Sequence, residues 1–128
     1  MKRIAITGAA GGVGSGLRRE LLGRGYALRL LDIQPINDCA ANEDAAVVDI
    51  CHQARLTTLL DGCDAVIHLA ACTTDAPWPD QVRHSVEGTI SLFDAARAVV
   101  LVSLPAGLSP DELKCQLFQR VYGLAAPF

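Results

Sequence analysis

A chain of 128 residues is long enough to bury one core and short for two, and with 51% hydrophobic and 20% charged residues it is neither disordered nor low in complexity. Its net charge of −3, with eleven Lys and Arg scattered rather than striped, excludes a nucleic-acid footprint. No apolar run approaches the roughly 18 to 20 residues of a bilayer span and no leader pattern precedes the first glycines, so a cytoplasmic location without membrane contact is expected.

Taken in chain order, the short β-branched run at 3–7 ends at Gly8 and suits a buried parallel strand. Val13, Leu17 and Leu21 then recur at helical spacing up to a Gly-Arg-Gly stop. Second and third strands are read at Ala27 to Asp32 and Ala45 to Ile50, separated by a polar loop. A helix over Gln53 to Leu60, closed by Gly62, leads into a fourth strand from Asp64 to Ala71. After a proline-bearing loop, Asp80 is expected to cap a long amphipathic helix marked by Val82, Val86, Ile90, Phe93 and Arg97, and a fifth strand is expected at Val99 to Ser103. Strands alternating with helices of this length imply right-handed βαβ crossovers, hence an α/β, doubly wound parallel sheet of about five strands.

Seven glycines fall between Ile6 and Gly25, where the first strand hands over to the first helix. In such a sheet the carboxyl ends of the strands line the ligand crevice, and a helix N-terminus presents unpaired N–H groups and partial positive charge. Gly8, Gly11 and Gly14, with Gly12 and Val13 at the helix start, therefore read as a cradle for a pyrophosphate. A P-loop is excluded, because Gly14-Ser15-Gly16 offers no lysine. Asp32 stands 18 residues after Gly14, at the end of the second strand, where an acid accepts hydrogen bonds from the adenosine ribose hydroxyls. Its charge would oppose a 2′-phosphate at about 4 Å by about 1 to 4 kcal/mol, so NAD is expected in preference to NADP. The five cysteines are odd in number and form no CxxC pair; Cys51 beside His52 lacks a second ligand pair, and no metal is expected.

The run Thr7 to Gly14, TGAAGGVG, resembles the TGxxGxxG of the extended short-chain dehydrogenase/reductases, the NAD-dependent epimerase/dehydratases. The likeness continues through Asp32, Asp49, Leu59 to Ala71 and Val86 to Arg97, and the loop around Trp78 is similar to that of the uronate dehydrogenase group. It covers the first hundred residues. The resemblance implies that Asp49 and Ile50 flank the adenine, that Leu69, Ala70 and Ala71 line the path toward the nicotinamide, and that His68 is a packed core residue. It also implies oxidoreductase or epimerase chemistry on sugars or uronates.

Two departures follow downstream. The resemblance implies a strand-end hydroxyl, here Ser103, and a Tyr-x-x-x-Lys pair; Tyr122 fits the tyrosine but Ala126 stands at the lysine position, so little or no activity is expected from this chain alone. The segment from Ser109 to Gly123 has its own helix grammar, which divides the chain into a dinucleotide-binding domain over 1–104 and a C-terminal helical tail over 105–128. Ser85 stands where the family usually carries asparagine. A chain that stops near the fifth strand without the substrate lobe would leave an edge and apolar helix faces uncovered, so self-association is expected. The alternative reading is a non-catalytic dinucleotide-sensing or protein-interaction module.

Overall fold

The computed structural model describes residues 2–72 and 75–102. Four strands, β1 (Arg3–Thr7), β2 (Ala27–Asp32), β3 (Glu43–Val47) and β4 (Ala65–His68), form one sheet in the order β3-β2-β1-β4 with every neighbouring pair parallel. The helices are α1 (Gly12–Gly23), α2 (Gln53–Leu60), a short α3 (Trp78–Gln81), a π-helical turn over Val82–Glu87, and α4 (Gly88–Val102). β1, β2 and α2 lie on the residues expected.

Alternation along the strands divides the core between the two faces of the sheet. Ile4, Ile6, Leu28 and Leu30 pack with Leu21 and Leu22 of α1, whereas Ala5 and Leu31 pack with Leu56 and Leu60 of α2 and Leu92 and Ala95 of α4. A doubly wound α/β sheet is therefore the architecture, with its helices on both sides.

Several boundaries differ from expectation for physical reasons. β3 runs from Glu43 to Val47 rather than from Ala45 to Ile50, with one further ladder bond from the Val48 N–H to the Asp32 carbonyl at 2.9 Å. β4 runs over Ala65–His68 rather than Asp64 to Ala71: the Leu69 N–H still reaches the Thr7 carbonyl at 3.1 Å, but the Ala70 N–H leaves the backbone ladder for the Thr7 side chain, 3.3 Å from Oγ1. The long helical segment starts at Trp78, not at an Asp80 cap. Pro77 is the cap residue, its carbonyl accepting the N–H groups of Asp80 and Gln81, and Pro79 fits the first turn where no N–H is needed.

The fifth strand expected at Val99 to Ser103 is not formed over 99–102. α4 runs through Val102 instead, since no Gly or Pro interrupts the sequence between Gly88 and Val102 and Val99 packs on the core as a helical residue. Among the described residues the sheet has four strands. Ser103 and the whole tail over 105–128, Tyr122 included, lie outside the described residues.

The face of α4 is also turned from the one expected. Val86, Ile90 and Phe93 are 52%, 57% and 55% exposed, and the buried side carries Gly88, Ser91, Leu92 and Ala95. Small residues on that side let the helix lie close to the sheet: a Cβ on Gly88 would meet Ile50 side-chain atoms at 2.5 Å.

Candidate functional site

The first turn after β1 is built by two glycines that no other residue can replace without movement. Gly8 has φ +70°, and a Cβ there would stand 2.7 Å from the Ala70 nitrogen, where β4 leaves the sheet beside β1. A Cβ on Gly14 would stand 2.6 Å from the Gly8 carbonyl oxygen and 2.8 Å from Ala9 Cα, so α1 rests directly on the loop backbone. Gly11 is the cap residue of α1, extended in conformation, and offers no side chain to satisfy the first N–H groups of the helix. Gly12 faces open space, with nothing within 4 Å of a notional Cβ, and Val13 is exposed. The N-terminus of α1 thus opens outward, unblocked, at the carboxyl edge of the sheet.

Asp32 lies at the same edge, half-buried. One carboxylate oxygen accepts the Ala10 N–H at 2.9 Å and the other accepts the Gln34 N–H at 2.9 Å. The acid therefore ties the glycine loop to the end of β2, while each oxygen retains a further lone pair for a ligand hydroxyl.

Asp49, after β3, accepts the Cys51 N–H at 2.8 Å through Oδ1 and meets Arg83 Nη2 through Oδ2 at 3.1 Å. The Cys51 N–H holds this carboxyl below its ordinary value against the opposing cost of burial, and Arg83 adds to the effect. Burial pushes the Cys51 thiol up. Ile50 is buried in the core under Gly88, whereas Leu69 and Ala70 are half-buried and Ala71 exposed beside Gly8. The structure thus gathers Gly8 to Gly14, Asp32, Asp49, Ile50 and Leu69 to Ala71 along one edge of the sheet.

A hydrogen-bond chain that spacing did not announce holds this edge together, and it includes His68, expected only as a packed core residue. Thr7 is fully buried, and its Oγ1 accepts the N–H groups of Leu69 at 3.2 Å and Ala70 at 3.3 Å. Its own proton is therefore directed to His68 Nδ1, 2.7 Å away. That makes Nδ1 the acceptor and Nε2 the N–H, which donates to Thr89 Oγ1 at 3.0 Å, and Thr89 in turn donates to the Ser85 carbonyl at 2.6 Å. The chain Thr7, His68, Thr89 links β1, β4 and α4 through a neutral imidazole, in line with burial lowering the His68 pKa. Ser85 Oγ also accepts the Cys72 N–H at 3.3 Å, so the hydroxyl at this position serves a loop amide. The threonine opening the glycine motif, with His68 and Ser85 at their family positions, was the signal for this network in the sequence.

With this geometry established, the likeness to known proteins has a structural meaning. The sequence profile of the NAD dependent epimerase/dehydratase family matches residues 4–107. The chain belongs to this family.

Among curated members, the uronate dehydrogenase of Pseudomonas putida is 35% identical over 96 residues, covering 74% of this chain and 36% of that protein. The NAD-dependent glucose-6-phosphate dehydrogenase of Haloferax volcanii is 34% identical over 99 residues, 73% of this chain and 37% of the relative. Among solved structures, uronate dehydrogenase from Agrobacterium tumefaciens, in a variant complexed with NAD, superposes with a TM-score of 0.71 at 32% identity, over 77% of this chain and 37% of that one. The chain accordingly spans about a third of the length of the family members it matches.

Proposed function

We propose that this chain binds NAD along the carboxyl edge of its sheet and is the dinucleotide-binding part of an oxidoreductase of sugars or sugar acids. The observation that carries the reading is the junction of the Asp32 carboxylate with the glycine loop, through Ala10 N–H, beside a helix N-terminus that no side chain blocks. A pyrophosphate fits that place: Gly8 and Gly14 let the loop backbone pack closely with no side chain in the way, Gly12 opens onto space, and the helix dipole favours the anion. Asp32 would take the ribose hydroxyls and disfavour a 2′-phosphate, Asp49 and Ile50 would flank the adenine, and Leu69 to Ala71 would border the nicotinamide. NAD, when bound, supplies a hydride acceptor.

The relatives named as uronate dehydrogenases support a sugar acid as the substrate class. The family resemblance offers Ser103 and Tyr122 as the hydroxyl groups of the chemistry, although α4 occupies the stretch up to Val102 where the strand leading to Ser103 was expected. With Ala126 four residues after Tyr122, no lysine is placed there to lower the phenol's pKa, and the chain alone is expected to bind without turnover.

Calorimetric titration of NAD and NADP into the protein tests the reading, with Asp32→Asn alongside. Tighter binding of NAD than of NADP, with the preference reduced in the variant, is the expected result. Absence of heat with either nucleotide overturns it.

A further inference from the structure

Beyond the end of β3, the outermost strand, three side chains of different chemistry converge. A carboxylate oxygen of Asp49, Sγ of Cys51 and a ring nitrogen of His84 all lie within 4.8 Å of one another, and all three residues are half-buried. They come from separate parts of the chain: Asp49 and Cys51 from the turn between β3 and α2, and His84 from the π-helical turn, 33 residues beyond Cys51. The turn is firm, because the Cys51 N–H bonds Asp49 Oδ1 at 2.8 Å and the His52 N–H bonds the Asp49 carbonyl at 2.9 Å. The π turn is anchored to it by the Cys51 thiol, which donates to the Arg83 carbonyl at 3.3 Å.

We propose that Asp49, Cys51 and His84 form a three-ligand site for a thiophilic divalent cation, zinc foremost. Thiolate, imidazole and carboxylate are the ligands zinc uses, and the sulfur selects against magnesium and calcium. Bonds of about 2.0 to 2.3 Å in a tetrahedron place donor atoms about 3.4 to 3.7 Å apart, so closure by about an ångström completes the set and leaves the fourth position to water. On ligation the Cys51 thiol gives up its proton to solvent. The competing group is Arg83, whose contact with Asp49 Oδ2 is 3.1 Å long on a side chain 57% exposed. A pair so open to water is weak and readily displaced.

The site has a consequence that rests on the reading above: a cation held by Asp49 removes that carboxylate from the adenine and weakens NAD.

Cobalt(II) titration of the full chain under reducing conditions is the test, read by the sulfur-to-cobalt charge-transfer band and tetrahedral d–d bands, with zinc as displacing ion. Expected are both bands in the parent protein and their loss in Cys51→Ser. In His84→Gln affinity falls about 100-fold or more, since outer-shell partners alone are worth 10 to 100-fold. The bands persist in Cys39→Ser, Cys72→Ser and Cys115→Ser, and Arg83→Gln tightens binding. Circular dichroism identical to the parent shows that a variant has folded; for one that has not, Arg83→Gln carries the decision, and no gain in affinity there counts against the site. No charge-transfer band, or one that survives Cys51→Ser, overturns it. NAD titrated with and without zinc then reads the coupling: at least a tenfold weakening is expected, and equal affinity overturns the coupling. If NAD fails to bind in the absence of metal, the dinucleotide reading falls while the cobalt spectrum still decides the metal site.

Discussion

At the scale of single residues, the site depends on atoms that leave no room for substitution. Gly14→Ala places a methyl 2.6 Å from the Gly8 carbonyl, a backbone atom that cannot rotate away. The helix must lift from the loop, and a stability loss of about 1 to 3 kcal/mol is expected, with NAD affinity reduced by more than the same change at Gly12, which faces open space. Thermal unfolding and calorimetry on the two variants make the comparison. Thr7 and His68 give a second prediction. Thr7→Val leaves His68 Nδ1 and the Ala70 N–H without a partner inside the fold, which costs about 1 to 3 kcal/mol, while Thr7→Ser retains the hydroxyl and most of the stability. Because burial lowers the folded-state pKa of His68 from the ordinary 6.5, the unfolded chain takes up its proton first as pH falls. His68 therefore adds stability above pH 6.5 that is lost as pH falls from there toward its folded-state value. Nitrogen NMR of the imidazole is expected to show the neutral Nε2–H form at pH 7; an Nδ1–H form would contradict the direction of the whole hydrogen-bond chain.

At the scale of elements, the ion pairs explain both what holds the sheet's outer strand and why its start was not legible. Glu43 and Asp44 are polar residues opening β3, and a local pattern places the strand only where the apolar run begins. They belong to it because of partners far away in sequence: Arg18 of α1 grips Glu43 through Nε and Nη2, the latter at 2.6 Å, and Arg29 of β2 holds Asp44 at 2.8 and 2.9 Å. The Glu43 side chain is fully covered in this arrangement. Glu43→Gln removes one of the two carboxylates on the Arg18 guanidinium, leaving Asp38 at 3.0 Å, and is expected to cost about 1 to 3 kcal/mol in denaturant unfolding. The Arg18 bond also holds the Glu43 carboxyl below its ordinary 4.5. A carboxylate depressed on folding adds stability at neutral pH that is lost as pH falls through the folded-state value, so acid unfolding of the parent is steeper below pH 4.5 than that of the glutamine variant. β1 and β2 were legible to the residue since their alternation and their bounding glycines are local. The face of α4 was not, because six residues of π-helical turn shift the phase of everything after them, and a regular count at 3.6 residues per turn then marks the wrong side.

At the scale of the molecule, the glycine motif, Asp32 and the alternation of strands with helices were enough to point to the family and the doubly wound fold, because those signals are written by residues close to strand ends. The bonds from Thr7 to His68 and from Asp49 to Arg83 join positions 61 and 34 residues apart, and no spacing rule announces them. The open edge and uncovered apolar faces expected from the sequence can here be placed on particular residues. Among the described residues β4 pairs with β1 alone, and the outer side of the last long helix displays Val86, Ile90 and Phe93, each more than half exposed. Burying the remainder of such side chains yields about 1 kcal/mol apiece, enough in sum to favour association at high protein concentration. Sedimentation velocity is expected to show a concentration-dependent shift beyond the monomer. Ile90→Glu with Phe93→Glu, both pointing away from the core, is expected to weaken it by about 10 to 100-fold while leaving the unfolding temperature nearly unchanged. If the double variant associates as strongly as the parent, the contact lies elsewhere, with the open side of β4 next to be tested by a lysine at its edge.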